Sequence, residues 1–456
     1  MSNPGTAADA VTAMHADWNL VEALMGGTKA MRAAGKAYLP MWPGEEQKAY
    51  DARLSVSTLL PAYRETITNM TSRVFAGPVQ LLEDVPGNIA ELMTNVDREG
   101  NNLQVWARDW FSKGLAYGIG FALVDYPRAD GIRTVADEKR AGVRPYAIVI
   151  HPKRVLGWKS QGGVLTQFRF SEVATEDDGA FASKSVEQVR VLEIGKWSIY
   201  RKNDKAEWVL YDEGVSTLPV IPVVPFYTGR TGYMTATPVL MDLAHLNVKH
   251  WQSQSDQDNI LHVARVPIFT VIGYEDVLDE NGKPSEIKVG SGTALKLPLN
   301  GDAKWVEHTG AAIDAGRDSL KDLLEDMRMA GAKLLQPMAG TAAKTAEQVG
   351  NEADIELSPL ETMALSFQDA INQMLQLFAM WTGQADGGSC KVQGNFEIDY
   401  APETSLTFLM SMANAGKLSD ETLFAEAKRR GVVSDEADWE TERERLDRQG
   451  PALGSA

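Results

Sequence analysis

A chain of 456 residues with 44% hydrophobic residues is long enough for two or three domains with substantial cores, which places it in the globular class. Its 45 basic against 62 acidic residues give a net charge of −17. That balance disfavours a strong sequence-nonspecific DNA binder, because tight phosphate binding draws on clustered Lys and Arg that release counterions. The single cysteine, Cys390, excludes an internal disulfide and any multi-thiolate metal site. The N-terminal MSNPGTAADA lacks the regions of a secretory signal, and the longest apolar run, 218–227, is broken by prolines. No membrane span is therefore expected, and synthesis in the cytoplasm is.

The first expected element is a short amphipathic helix over 8–25, with Val11, Met14 or His15, Trp18, Val21 or Glu22, and Met25 in phase and a stop at Gly26-Gly27. Pro40 and Pro43 break the chain before a helix rich in Glu and Lys. Residues 59–74 continue helical, with Pro61 at a first-turn position and Tyr63, Ile67, Met70 and Val74 on one face. From 96 to 126 a loop leads into a helix (Leu103, Trp106, Trp110 or Phe111, Leu115) and then a strand over 121–124. Gly114, Gly118 and Gly120 end that helix and open that strand. A dinucleotide loop has the opposite order, so these glycines read as helix termination and close packing.

From 144 to 227 the period changes to two: PYAIVI, LTQFRFSEV, EQVRVLEI, KWSIYRK, EWVLYDE and VIPVVPFY predict about half a dozen strands, with turn residues between them. The aromatics there (Tyr146, Trp158, Phe168, Phe170, Trp197, Tyr200, Trp208, Tyr211) are expected in the core and in cross-strand pairs.

Residues 237–265 predict one long helix of two characters. Its first half carries an apolar stripe through Leu240, Leu243, Leu246 or Asn247, and His250 or Trp251. Residues 252–259, QSQSDQDN, are polar without interruption for about two turns, so no face there is apolar. Such a segment is not expected in a core. It bridges between parts, lines something filled with water, or lies solvated on a surface. A β insertion follows (PIFTVIG, EIKVG, ALKLP, KWVEH), then a helix over 312–335 with Leu320, Leu323 or Leu324, Met327 and Leu334 in phase. The small-residue loop QPMAGTAAK at 336–344 lacks the glycines and preceding strand of a phosphate-binding loop. Ser358, Pro359 and Glu361 mark a capped start for a helix ending near Gly383. Three short helices close the chain after 403, punctuated by Gly416 and Gly431, with starts at Ser419 and near Asp435.

No catalytic, cofactor or metal constellation emerges. His245 and His250 are five apart and do not share a helix face, Asp256 and Asp258 lie on different faces, and Cys390 sits in a Gly-Ser loop without a marked base.

The order of these pieces resembles the portal proteins of tailed bacteriophages, across roughly residues 10 to 450. The likeness is carried by YLPMWPGEEQKAYDARL at 38–54, VDREG and GIGFALVDYP within 96–127, RPYAIVIHPKRVLGWK at 144–159, IPVVPFY at 221–227, MDLAHLNVKHWQSQSDQDNILHVARVPIFTVIG at 241–273, and GKLSDETLFAEAKRRGVV at 416–433. It implies an α+β subunit with a helical N-terminal wing region (1–143), a β-rich wing domain (144–235), a stem helix (236–265), a β insertion as candidate clip (266–311), and a second stem or wing helix (312–335). A candidate tunnel loop and short helix (336–357), a long helix and return strand (358–402) and a helical crown (403–456) complete it. The candidate channel or stem residues are Gln252, Gln254, Asp256, Asp258 and Asn259; those of the tunnel loop are Gln336, Met338, Thr341 and Lys344.

The resemblance also implies a non-enzymatic homo-oligomeric ring of about twelve subunits at one capsid vertex, assembled in the host cytoplasm and built into the virion. The ring would conduct double-stranded DNA without sequence specificity during packaging and ejection. It would dock the terminase large subunit and head–tail adaptors, and meet the major capsid and scaffolding proteins. No cofactor and no membrane partner is implied. The alternatives are another head–tail connector or minor capsid component, and a soluble enzyme with a site hidden in the β-rich domain.

Overall fold

The computed structural model describes residues 3–127, 143–179, 181–265, 268–272, 301–306, 310–336, 357–396, 402–429, 432–434 and 437–449. With 48% helix and 23% strand the chain is α+β. It divides into two compact units, Met1–Phe396 and Glu397–Ala456.

The first unit opens with α1 (Asp9–Met25), which stops at Gly26 as expected, and α2 (Gly27–Ala34), a further helix that the periodicity did not announce. Gly27, at φ +70°, permits a sharp corner, after which the chain turns helical again. Then come α3 (Gln47–Val56) and α4 (Ala62–Val74), which buries the four residues its periodicity predicts, Tyr63, Ile67, Met70 and Val74. After β1 (Gln80–Leu81) and α5 (Gly87–Leu92), α6 (Leu103–Tyr117) starts where the Asn102 side chain accepts the Val105 N–H at 3.0 Å. It stops at Gly118, φ +83°, and the chain reverses at once into β2 (Ile119–Asp125).

Strand β2 is the centre of an antiparallel three-stranded sheet, flanked by β3 (Tyr146–Ile150) and β9 (Val223–Tyr227). Between those two the chain lays down a five-stranded meander: β4 (Val155–Gln161), β5 (Val164–Asp177), β6 (Ser183–Glu193), β7 (Lys196–Lys202) and β8 (Trp208–Val215). Strand β4 is not among those predicted, because Gly157 and Lys159 interrupt its period. Of the eight aromatics expected in the core or in pairs, Phe168 and Phe170 are buried. Tyr211 is instead exposed, with the Arg201 guanidinium 3.5 Å from its ring centre.

A small hairpin, β10 (Arg230–Gly232) with β11 (Thr235–Ala236), leads into α7 (Met241–Ala264). Next come β12 (Ile268–Ile272), its antiparallel partner β13 (Asp302–Val306), and α8 (Ala311–Ala332). Helix α9 (Pro359–Thr382) follows, capped as predicted by Ser358, whose Oγ accepts the Glu361 N–H at 3.2 Å. Strand β14 (Cys390–Lys391) returns to pair with β1.

Helix α9 carries Phe367 into the middle of the core. Its ring lies 5.1 Å from Trp110, 5.2 Å from Phe111 and 4.8 Å from Phe226, all edge to face, an arrangement that adds about 0.5–1.5 kcal/mol per pair beyond burial. These rings tie α6, β9 and α9 together. The second unit is α10 (Pro402–Asn414), α11 (Asp420–Arg429) and α12 (Trp439–Gln449). Ser419 caps α11 as expected, and Asp438, rather than a residue near Asp435, caps α12. Phe424 packs on Trp439 at 5.4 Å.

Close packing accounts for the glycine within α6. A Cβ at Gly114 would sit 2.4 Å from Cδ1 of Phe226. Alanine ordinarily stabilises a helix interior by about 1 kcal/mol over glycine, but here overpacking reverses the sign. Gly114→Ala is expected to lower stability by about 1–3 kcal/mol in urea melts; a rise would show that the aromatic core yields freely.

Candidate functional site

Helix α7 is where the sequence and the structure diverge most. Its first half buries Leu243, Ala244, Asn247 and Trp251. Asn247 is a structural polar group: its Oδ1 accepts the Tyr63 N–H at 3.0 Å, and its Nδ2 donates to the Leu60 carbonyl at 2.9 Å. It thereby satisfies a backbone donor in the first turn of α4 that has no partner within the helix.

The polar run was expected to be free of any core, and that expectation fails. Ser255 and Gln257 are buried, and Gln252, Gln254, Asp256, Asp258 and Asn259 are half-buried. Two faces of the run are taken up by polar contacts within the subunit. On one face Ser255 and Ser57 share a hydroxyl hydrogen bond of 2.9 Å, and Gln252 Nε2 donates to the Tyr38 carbonyl at 2.9 Å. On another, Gln257 Nε2 donates at 2.9 Å to the carbonyl of Ile313, in the first turn of α8. Gln254 Nε2 donates to Asp258 Oδ1 at 2.7 Å along the outer flank. Of the candidate tunnel-loop residues, Gln336 is exposed at the end of the α8 segment; Met338, Thr341 and Lys344 lie outside the described residues.

Arg53, on α3, organises the first of those faces, and nothing in the periodicity of α3 singles it out. Its guanidinium donates to both carboxylate oxygens of Glu45, Nε to Oε1 at 2.9 Å and Nη2 to Oε2 at 2.8 Å, and also to the Pro40 carbonyl at 2.9 Å. The Trp42 ring lies 4.0 Å from its central carbon, and Asp256 is 4.0 Å from Nη1. The Arg53 and Glu45 side chains are 4% and 5% exposed, so theirs is a buried ion pair. The hydrogen bond from Arg53 holds the Glu45 carboxyl below the ordinary glutamate range, against a smaller opposing effect of burial. Burial pushes Asp256 the other way, and Arg53 offsets that in part.

Two depressions elsewhere offer conventional site geometry. A cleft of about 560 Å³ opens between β2, the β6–β8 end of the meander and the end of α9. In it Arg190 bridges Asp125 and Glu172. Burial works against the Arg190 charge, but the two carboxylates outweigh it and raise its pKa. Burial pushes the Tyr146 hydroxyl up to about 12. The carboxylates lining the cleft are already engaged: Asp125 by Arg190, Glu193 by Gln167 and Glu213 by Lys196. A second groove holds Glu22, which accepts the Tyr117 hydroxyl at 2.9 Å and lies 3.8 Å from His151, whose pKa burial lowers. Among the described residues no group of His, Cys, Asp and Glu is placed to hold a metal ion, and no helix is long and apolar enough to cross a membrane.

Residues 239–382, from the start of α7 to the end of α9, match a family model described as a domain of unknown function, DUF4055. No curated protein matches the chain. Among solved structures it is similar to a chain of the neck of an empty GTA particle computed with C6 symmetry, at 12% identity and TM-score 0.42, covering 79% of this chain and 87% of that one. A chain of the native GTA particle neck computed with C12 symmetry gives 12% and 0.39 over 82% and 89%. A chain of the virion of the native gene transfer agent particle gives 11% and 0.40 over 87% and 97%. At these identities and TM-scores the likenesses do not say what the chain does.

The Arg53 pair has a pH signature. A depressed Glu45 contributes stability that is fully present above its unfolded pKa and is lost as pH falls through the folded value; the raised Asp256 penalises the fold at neutral pH and ceases to do so in acid. Glu45→Gln, which removes the charge paired with a buried guanidinium, is expected to cost about 1.5–3 kcal/mol at pH 7 and to cost progressively less towards pH 3 in urea melts. Asp256→Asn is expected to raise the Tm at pH 7, with the gain vanishing in acid.

Proposed function

We propose that this chain is a portal-type subunit. Copies of it form a closed ring at one capsid vertex, a non-enzymatic conduit for double-stranded DNA and a docking platform for a terminase large subunit and head–tail adaptors. The observation that carries this reading is the out-and-back course of α7 and α8. Helix α7 runs about 36 Å at 1.5 Å per residue, the chain passes through the antiparallel β12–β13 pair, and α8 returns packed along α7. That is the stem and clip order implied by the resemblance.

The polar contacts described above support a stem role in a specific way. They fix α7 against α3 and α8 and leave one flank, Gln254 and Asp258 with Asn259, turned from these partners and half-exposed. The outer face of α8 carries local ion pairs, Asp314 with Arg317, Asp318 with Lys321 and Glu325 with Arg328, all well exposed. In a ring these two flanks meet neighbouring subunits and the bore. With a net charge of −17 per copy, the bore repels phosphate, so DNA slides instead of sticking.

Native mass spectrometry and end-on electron micrographs of the purified protein test the reading. About twelve copies of a 49.9 kDa chain give a closed ring of roughly 600 kDa with an axial hole. Monomers or dimers alone at micromolar concentration would overturn it, and a ring without a hole wide enough for a duplex would favour a different connector component.

A further inference from the structure

The five-stranded meander has an arm that its own subunit leaves uncovered. Strand β4 pairs β5 only as far as Phe170, and β7 pairs β6 only from Gln188 onward. The last five pairs of the β5–β6 hairpin, Val173 with Glu187 through Asp177 with Ser183, therefore have no third strand. A two-stranded ribbon is marginal on its own in water. This one also carries a half-exposed Val173 and, beyond its last pair, a fully exposed Phe181. A large apolar side chain wholly in water at the tip of a projecting arm is the kind of exposure that calls for a partner.

The other end of the same sheet holds a matching depression. It is the cleft of about 560 Å³ whose walls include Tyr126, Tyr146, Trp197 and Trp381, with Val215 standing 85% exposed on its rim. Trp381 stacks on Tyr126 at 5.2 Å, which leaves the cleft floor aromatic, and its lining carboxylates are all engaged, as described above.

We propose that Phe181 of one copy inserts into the Tyr126–Trp197–Trp381 cleft of the next copy, making the meander a head-to-tail coupler between subunits. Arm and cleft are separated by the length of β6, about 33 Å at 3.3 Å per residue, so one copy cannot fill its own cleft. Two different patches at opposite ends of one sheet form a heterologous contact, the type that generates rings. This deepens the portal reading and rests on its ring.

Disulfide trapping tests it on the full chain, because the sole native thiol, Cys390, is buried and held protonated, its pKa pushed up to about 12. A Phe181→Cys, Val215→Cys double variant, oxidised after assembly, is expected to give a covalent ladder running up to the full ring on non-reducing gels, with each single variant remaining uncoupled. Phe181→Ala, which touches nothing in its own subunit, is expected to keep the circular dichroism spectrum while reducing the ring fraction at least tenfold at micromolar concentration. Intact rings that give no ladder overturn the coupler and leave the portal reading standing. A product that stops at a covalent dimer also overturns it, since that pattern reports a two-fold contact. Absence of rings in the parent protein is the separate failure that sinks the portal reading itself.

Discussion

Burying a guanidinium and a carboxylate removes both from water at a cost of several kcal/mol per ion, and Arg53 and Glu45 show how completely that cost has to be offset. Both Glu45 oxygens, the Pro40 carbonyl and the Trp42 ring together surround the Arg53 head. The result fixes the 38–46 segment to α3, and through Tyr38 and Ser57 it fixes both to α7. Helix α8 is then held by the Gln257 bond to the Ile313 backbone. A Cβ at Gly316 would lie 2.1 Å from Gln257 Oε1, the far end of a flexible side chain, so the glycine gives that side chain its seat between the two helices. The course of the candidate stem thus depends on polar contacts that tolerate little displacement, because hydrogen bonds weaken steeply with distance and angle.

This dependence explains why helices α4 and α9 were legible in the sequence and the polar half of α7 was not. Tyr63, Ile67, Met70 and Val74 announce a buried face by repeating at helical spacing, and Ser358-Pro359 announces a start by cap chemistry. Periodicity sees only apolar burial. It cannot see that Ser255 would meet Ser57 and Arg53, about two hundred positions away, and so it assigned the run 252–259 to water on every side. Strand β4 escaped for a related reason: a glycine and a lysine interrupt its alternation, and what makes it a strand is its pairing with β5. The aromatic cleft was invisible too, since its walls come from β2, β3, β7 and the far end of α9.

The two kinds of polar surface on the candidate stem differ in what they commit the subunit to. Ion pairs three or four residues apart on α8 are worth a few tenths of a kcal/mol each and persist whether or not a neighbour is present. They keep the helix solvated without specifying a partner. The buried contacts of α7 specify its seat within its own subunit, and only the flank through Gln254 and Asp258 remains for anything else. A helix of this design suits a stave whose inner geometry is set before assembly, so that copies meet with little rearrangement.

In the proposed ring, the coupling of copies falls to surfaces away from the candidate stem. A head-to-tail contact fixes one rotation and one translation per copy, and a ring results only when the translation along the axis is zero and the rotations sum to a full turn; any residual rise produces a filament. The long β5–β6 ribbon is anchored at its cleft end in a sheet whose interior strands are paired on both sides, and its last five pairs, which lead to Phe181, run on without a third strand. The multiply paired part of the sheet sets the rotation, whereas the arm tip, the half-exposed flank of α7 and the solvated α8 can adapt to it. Closure would therefore be decided in the sheet and merely accommodated by the stem.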